Sequence, residues 1–359
     1  MPLHPPLDEV GEQLLAELWP APTTPAPRLF QIGEGFAIGT HVGNKRPRNE
    51  DRVAIARVDI GSRIAYSVHI ICDGVGGSQR GDEAAAIACA SILSQLSALT
   101  QYRAPAQLLP DLIREADDAV RLLLSGAGQT TLCVLLNSSD RQCALASIGD
   151  SRAYSWDQGS DLIQLTEDDT LANEIKQHKL ELAQAYLNAR GLQGSLSQAI
   201  GESGRSSSEL SINVLTDRSF PPGGILLATD GVWINGTDAF NLIAKHSRGS
   251  SELVRRLLTT ASWLGGIDNA SAIAIRDPQQ MPGTIECHPR NTRITLWLTD
   301  KQIVTYRSTA VSLESSKPPT EKQTKKRRKK ADAKTAQLEL PDSDLAQKGN
   351  HIVAGPDDV

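Results

Sequence analysis

The sequence predicts an α+β domain in which antiparallel strands are layered against helices. Strand-like apolar runs and long helical stretches are both present in quantity between Phe36 and Ile275. Several strands follow one another with no helix between them, since VAIARV precedes AYSVHIICD and TTLCVLL precedes CALASIGD. Such neighbours favour hairpins over βαβ units, and therefore antiparallel sheets.

The individual elements are predicted from the spacing of apolar residues. Six short runs have the pattern of buried strands: VAIARV, AYSVHIICD, TTLCVLL, CALASIGD, GGILLATD and ASAIAIR. Three longer stretches repeat apolar residues at helical spacing: EAAAIACASILSQL, AQLLPDLIREADDAVRLLL and SSELVRRLLTTASWL. The segment ITLWLTDKQIVTYR alternates apolar and polar residues around Asp300 and Lys301, which predicts one more β-hairpin.

Composition divides the chain into four segments. Residues 1–33 form a proline-rich leader with one helical piece, Val10 to Trp19. Residues 34–276 contain the main domain, and residues 277–311 contain the predicted hairpin extension. Residues 312–359 have no aromatic side chain and are rich in Lys, Pro, Ser, Asp and Gln. This tail is predicted to be disordered because it buries too little apolar surface to offset the entropy lost on ordering.

Several classes of protein are excluded by composition. Hydrophobic residues make up 40 % of the chain, but no apolar run is long enough to span a membrane. The N-terminus lacks the basic start and apolar stretch of a secretory signal, so a cytoplasmic location is expected. The five cysteines are odd in number and never spaced as CxxC, which predicts neither a disulfide framework nor a zinc site. A net charge of −5 argues against the whole chain being a nucleic-acid binder.

Carboxylates recur at the ends of the strand-like runs. One such acid alone is weak evidence, because an Asp-Gly pair is a common turn. Together they could converge at one sheet edge, where like charges repel and divalent cations would neutralise them. Carboxylates without neighbouring His or Cys select hard ions, Mg²⁺ or Mn²⁺. The candidate set is Glu50, Asp51, Asp73, Asp150, Asp230 and Asp268.

A family resemblance rests on seven motifs. They are GNKRPRNEDR, ICDGVGG, GQTTL, SIGDSR, LTEDDT, LLATDGVW and DNASAIAI, and their order and approximate spacing are those of the type 2C protein phosphatases. The chain thus resembles a bacterial-like member of this metal-dependent serine/threonine phosphatase family. The resemblance implies a four-layer αββα sandwich of two antiparallel sheets flanked by helices. It also implies a centre of two Mg²⁺ or Mn²⁺ ions at one end of the sandwich.

The resemblance assigns metal ligands to this chain. Asp73 resembles the carboxylate that bridges both ions, and the carbonyl of Gly74 resembles a ligand of one of them. Glu50, Asp230 and Asp268 are implied as ligands of the other ion. Phosphoserine and phosphothreonine in proteins are the implied substrates, with a metal-bridging water as the nucleophile and no covalent phosphoenzyme.

Three further roles follow from the same resemblance. Asp51 is implied to orient metal-bound water, and Arg46 resembles the family's phosphate-binding arginine. A guanidinium fork suits the oxygens of a phosphate in both geometry and charge. In bacterial members the aspartate of the GDSR motif helps to hold a third, weaker ion, so Asp150 together with Asp230 is the candidate for that site.

The chain departs from the family pattern at two proton donors. Val75 stands where many eukaryotic relatives have the histidine of DGHGG. The motif that often ends in Asp-His reads Glu167 to Thr170 here. The leaving group is therefore expected to take its proton from water. Residues 171–195 fall where the family carries its variable flap, and His178 in that segment is expected to be a surface residue.

Other readings stay open at this point. A phosphatase-fold member without catalysis, acting as a binding or scaffolding module, is the alternative function. The basic run of residues 325–330 could bind nucleic acid, an anionic membrane or an acidic protein patch, or be merely solvated. An active enzyme would act on phosphoproteins and oppose a Ser/Thr kinase. Cys287 to Arg293 has the Cys-x5-Arg spacing of another phosphatase class, but Pro289 removes a backbone donor that such a loop needs.

Overall fold

The computed structural model describes residues 6–19, 26–61, 64–177, 190, 192, 194–234, 237–284 and 291–308. The chain divides into two compact units, Met1–Val311 and Ser312–Val359. The second unit, which contains the predicted tail and its basic run, lies outside the described residues, as do His178 and Cys287.

Runs of consecutive strands are separated by helices along the chain. The α-helices are α1 (Glu9–Leu18), α2 (Gly81–Ser97), α3 (Pro105–Leu124), α4 (Leu171–Gln177), α5 (Asp230–Trp233), α6 (Thr237–Lys245) and α7 (Ser250–Trp263). Short 3₁₀ helices cover Ser207–Glu209 and Asp217–Ser219. The strands are β1 (Arg28–Ile32), β2 (Phe36–His41), β3 (Arg52–Ile60), β4 (Ile64–Cys72), β5 (Leu132–Ser138), β6 (Cys143–Ile148), β7 (Arg152–Trp156), β8 (Ile163–Gln164), β9 (Val214–Thr216), β10 (Gly224–Ala228), β11 (Ala270–Ile275), β12 (Asn291–Trp297) and β13 (Gln302–Ser308).

The described strands form two antiparallel sheets. The first sheet has six strands in the order β1-β2-β11-β10-β7-β8. The second sheet has seven strands in the order β13-β12-β3-β4-β5-β6-β9. Strands β3 and β4 form one hairpin and β5 and β6 form another, as the absence of a helical pattern between the members of each pair predicts. Strands β4 and β5 also pair, although α2 and α3 lie between them in the chain.

Three apolar layers show how the sheets and helices stack. On β4, Val68 and Ile70 pack in the layer between the second sheet and helices α2 and α3. Ile71, on the opposite face of the same strand, packs between the two sheets. Leu253 and Leu257 of α7 pack against the outer face of the first sheet. The order helix, sheet, sheet, helix confirms the predicted αββα sandwich.

The leader contributes helix α1 and strand β1 to this sandwich, and the extension contributes strands β12 and β13. Helix α1 begins at the side chain of Asp8, which accepts a hydrogen bond from the Gly11 amide at 2.9 Å. Its buried face, with Leu14 and Leu18, packs on α2. Strands β12 and β13 form the hairpin, and β12 pairs with β3 so that the second sheet gains two strands. Among the described residues no helix has the length and apolar character needed to cross a membrane.

Candidate metal centre

Strand register brings the predicted acids to one end of the sandwich. In the second sheet, Arg52 at the start of β3 pairs with Cys72 at the end of β4. Asp51 and Asp73 therefore lie at the same end of these two strands. In the first sheet, Ala228 pairs with Arg152, which places Asp230 just beyond this pair. The neighbouring strand begins at Ala270, next to His41, and Asp268 precedes it. The six acids therefore converge from the ends of both sheets.

Asp51 is the most deeply buried of these carboxylates. It is 2 % exposed, and its Oδ2 accepts hydrogen bonds from Ser271 at 2.6 Å and Thr229 at 3.1 Å. Its Oδ1 has no partner among the described residues. Burial, together with the charges of Asp230 and Asp268, raises the pKa of Asp51 to about 7.

The backbone of Asp73 is fixed by two threonines of the GQTTL motif. The Asp73 amide donates to Thr131 Oγ1 at 3.0 Å, and Thr130 Oγ1 donates to the Asp73 carbonyl at 2.8 Å. Ser151 of the GDSR motif lies 2.7 Å from Thr131 Oγ1 and joins this network. Burial and then the charge of Asp51 raise the pKa of Asp73 well above its usual range.

Asp230 and Asp150 share the same electrostatic environment. Burial and the charge of Asp268 raise the pKa of Asp230 to about 6, and its Oδ1 is buried without a partner in the described part of the chain. Burial and the charge of Asp230 raise the pKa of Asp150 to about 7. In both cases burial is the larger cause, and the negative charge of a neighbouring carboxylate adds to it.

Two arginines contact the remaining two acids. Arg46 donates to Asp268 Oδ2 at 2.5 Å, and Arg48 donates to Glu50 Oε1 at 2.7 Å. Asn269, next to Asp268, connects this segment to Glu50, since its Oδ1 accepts a hydrogen bond from the Glu50 amide at 2.7 Å. In the described ranges, no three His, Cys, Asp or Glu side chains lie close enough together to hold a metal ion.

The structure adds residues that the sequence did not single out. Thr131, Ser151, Thr229 and Ser271 hold the acids by hydrogen bonds, although short hydroxyl side chains carry no periodic signal. Asp82 at the start of α2 has a buried Oδ1 without a partner among the described residues, and its Oδ2 lies 3.6 Å from Arg48. Asp82 could have been singled out from the sequence because it lies in the first turn of α2, five residues after the ICDGVGG motif.

Two side chains of the acidic motif at Glu167 to Thr170 are bound by other parts of the chain. Arg152 of the GDSR motif forms a forked ion pair with Asp168, with its Nη2 2.7 Å from Oδ2. The same guanidinium lies 3.3 Å from the ring centre of Trp233. Asp169 accepts from the Gly149 amide at 2.8 Å. Asp168 and Asp169 therefore both have partners in the GDSR motif, close to Asp150.

The donor set fits hard divalent cations. The converging atoms are carboxylate oxygens, and buried Oδ1 atoms of Asp51, Asp82 and Asp230 have no partner in the described residues. Gly74 packs directly against the start of α2, because a Cβ there would lie 2.5 Å from the carbonyl carbon of Gly81. Oxygen donors and crowded negative charge are the features that Mg²⁺ and Mn²⁺ sites require.

An αββα sandwich with carboxylates gathered at one end is the arrangement that the sequence resemblance to the type 2C phosphatases implies. The family model described as protein phosphatase 2C matches residues 38–264. The chain therefore belongs to the protein phosphatase 2C family, whose members use Mn²⁺ or Mg²⁺ and act on phosphoproteins. No curated protein matches the chain.

Solved structures of bacterial phosphatases have the same fold. Serine/threonine phosphatase Stp1 from Staphylococcus aureus is 18 % identical, with a TM-score of 0.56 over 72 % of this chain and 96 % of that one. The S. agalactiae serine/threonine phosphatase is 18 % identical, with a TM-score of 0.56 over 70 % and 99 % of the two chains. The phosphatase MsPP from Mycobacterium smegmatis, solved in complex with cacodylate, is 24 % identical, with a TM-score of 0.53 over 69 % and 99 %.

Proposed function

We propose that the chain hydrolyses phosphoserine and phosphothreonine in proteins, with two Mg²⁺ or Mn²⁺ ions held by Glu50, Asp73, the Gly74 carbonyl, Asp230 and Asp268. The observation that supports this most is the convergence of buried acids with raised pKa values and unpartnered oxygens. Asp150, beside Asp230, is the candidate for a third and weaker ion. Release of Arg46 and Arg48 from Asp268 and Glu50 frees two of the ligands.

When bound, the ions supply positive charge for the phosphoryl oxygens and lower the pKa of water. Asp51 orients the attacking water through its free Oδ1, while Oδ2 stays fixed by Ser271 and Thr229. Arg46 binds the phosphoryl oxygens with its guanidinium fork. Room for this fork comes from Gly76, because a Cβ there would lie 2.8 Å from Arg46 Nη1.

The proton for the leaving serine or threonine oxygen comes from solvent in this proposal. Val75 carries no proton donor. Asp168 and Asp169 are held by Arg152 and by the Gly149 amide, which leaves neither free to act as an acid. Water then supplies the proton.

A direct assay tests the proposal. The full chain would be incubated with a phosphothreonine peptide and Mn²⁺, Mg²⁺ or EDTA, alongside Asp73→Asn. Turnover with Mn²⁺ that EDTA and Asp73→Asn abolish supports the metal mechanism. Asp59→Asn is the matched control, because Asp59 is a buried acid at the far end of β3, paired with Arg57 at 2.9 Å. Binding of the peptide without turnover under any ion would favour the silent binding module instead.

Two broader assignments belong to the same proposal. An enzyme of this kind opposes a Ser/Thr kinase in signalling, in the cytoplasm. Recruitment of nucleic acid or an acidic protein patch by residues 325–330 stays a prediction from the sequence. A fluorescent peptide of residues 320–335 tests it, because binding that weakens with salt is expected for either partner.

A further inference from the structure

Helix α1 lies outside the family-matched residues 38–264 and yet is tied to the second sheet at both of its ends. Asp8, at its N-terminus, pairs with Arg307 of β13 at 2.5 Å. Glu17, in its last turn, pairs with Lys301 of the hairpin turn at 2.5 Å. These ion pairs connect the helix to the hairpin of β12 and β13, and β12 pairs with β3, which Glu50 and Asp51 directly precede.

The C-terminal end of α1 is capped from outside by Arg52. Arg52 Nε donates to the Leu18 carbonyl at 2.8 Å, and Nη2 donates to the Trp19 carbonyl at 3.0 Å. Helix α1 has no basic residue in its last turn, where unpaired carbonyls and the helix dipole favour a positive charge. Arg52 supplies that charge, and its side chain is almost fully buried as a result.

The same guanidinium reaches back to the metal centre. Arg52 Nη1 donates to the Asn49 carbonyl at 3.0 Å and to the Asp51 carbonyl at 2.8 Å. These two carbonyls flank Glu50 on either side. The planar fork of arginine can serve four carbonyls in fixed directions, which the single ammonium of lysine cannot do.

We propose, on the basis of the phosphatase function above, that Arg52 is a positioning residue that transmits the placement of α1 to the ligand-bearing segment Asn49–Asp51. The leader helix is then part of what holds Glu50 and Asp51 in the geometry that Mn²⁺ requires. Residues that orient ligands in this way contribute to metal affinity without contacting the metal.

The test compares two buried arginines of the same strand in the full-length protein. Arg57, also on β3, contacts Asp59 and the Pro282 carbonyl and none of the acids of the candidate metal centre among the described hydrogen bonds. Mn²⁺ binding would be measured from the electron paramagnetic resonance signal of free Mn²⁺, with thermal unfolding recorded for each variant. Arg52→Met is expected to weaken Mn²⁺ binding by about 10-fold or more. Arg57→Met is expected to lower the melting temperature with Mn²⁺ binding unchanged.

Two further variants separate positioning from general destabilisation. Arg52→Lys retains the charge and is expected to recover part of the Mn²⁺ affinity. Leu14→Ala loosens α1 on α2 and is expected to weaken Mn²⁺ binding, whereas Leu253→Ala, an equally buried position on α7, is not. If Arg52→Met does not fold, the comparison of Leu14→Ala with Leu253→Ala still tests whether the placement of α1 affects Mn²⁺ binding.

The outcomes are distinguishable. Equal Mn²⁺ affinities for Arg52→Met, Arg57→Met and wild type would overturn the positioning role and leave the phosphatase proposal intact. An equal effect of Leu14→Ala and Leu253→Ala would overturn the role of α1. A wild-type protein that binds no Mn²⁺ would refute the metal mechanism and this inference with it.

Discussion

Small hydroxyl side chains determine how the acids are presented. Ser271 and Thr229 donate to one oxygen of Asp51, and the other oxygen has no partner among the described residues. A hydrogen bond to a buried carboxylate is stronger than one between neutral groups, because the charged form is stabilised. The direction of Asp51 is therefore set by strands of the first sheet, although Asp51 itself precedes a strand of the second.

Replacing Ser271 should impair this orientation. Ser271→Ala removes the 2.6 Å hydrogen bond to Asp51 Oδ2 and should reduce Mn²⁺-dependent turnover by about 10- to 100-fold, as for other supports of metal sites. Phosphopeptide turnover at saturating Mn²⁺ is the measurement. Ser67→Ala is the control, since the buried Ser67 hydroxyl has no partner within the described residues. Equal turnover in both variants would contradict the role of Ser271.

Glycine at position 74 is required by a close approach of two backbone segments. A Cβ at Gly74 would lie 2.5 Å from the Gly81 carbonyl carbon and 3.0 Å from the Asp82 amide, so neither neighbour can yield as a side chain would. Gly74→Ala should cost about 1–3 kcal/mol of unfolding free energy. It should also abolish Mn²⁺-dependent turnover, because the Gly74 carbonyl is displaced. Denaturant titration and the phosphopeptide assay measure the two effects.

Gly77 offers a matched control in the same loop. An added Cβ at Gly77 meets no atom within 4 Å, and Gly77 is exposed. Gly77→Ala should therefore leave both stability and turnover close to those of wild type. A loss in Gly77→Ala as large as that in Gly74→Ala would show that the loop responds to any change in flexibility rather than to the close approach.

The ends of the strands could be predicted from the sequence, but the residues that contact those ends could not. The acids could be placed because each lies beside an apolar run, and the boundary of such a run is a local signal. The bond between Asp51 and Ser271 joins residues 220 positions apart and depends on how the two sheets are packed. The hairpin around Asp300 could likewise be predicted from its alternation, whereas its pairing with β3 depends on non-local packing.

Asp8 has two roles at the start of helix α1, as its N-cap and as the partner of Arg307. Burial alone would raise the pKa of Asp8, but hydrogen bonds from Arg307, Ser94 and the Gly11 amide lower it to about 2. Asp8→Ala removes both the N-cap and the ion pair and should lower the unfolding free energy by about 1–2 kcal/mol. Asp8→Asn retains a good N-cap and should lose less. Chemical denaturation at pH 7 measures the series, and equal losses would contradict a capping role.

At the scale of the whole molecule, the two sheets enclose one titratable ring in their shared apolar layer. His69 of β4 is fully buried and stacks on Phe36 of β2, with ring centres 5.7 Å apart. Burial lowers the pKa of His69 to about 4, against 6.5 for the ordinary group, and the Leu135 backbone opposes this only partly. The folded protein thus binds a proton at His69 less readily than the unfolded chain does.

This difference predicts how stability changes with pH. The contribution of His69 is fully present above pH 6.5, falls as the unfolded chain takes up a proton, and levels off near pH 4. Between pH 8 and pH 5 the wild type should lose about 2 kcal/mol of unfolding free energy that His69→Leu does not lose. Denaturant titrations with EDTA at both pH values measure this difference, with His246→Gln at an exposed site as the control. Parallel losses in wild type and His69→Leu would mean that the two sheets separate enough to hydrate the imidazole in the folded state.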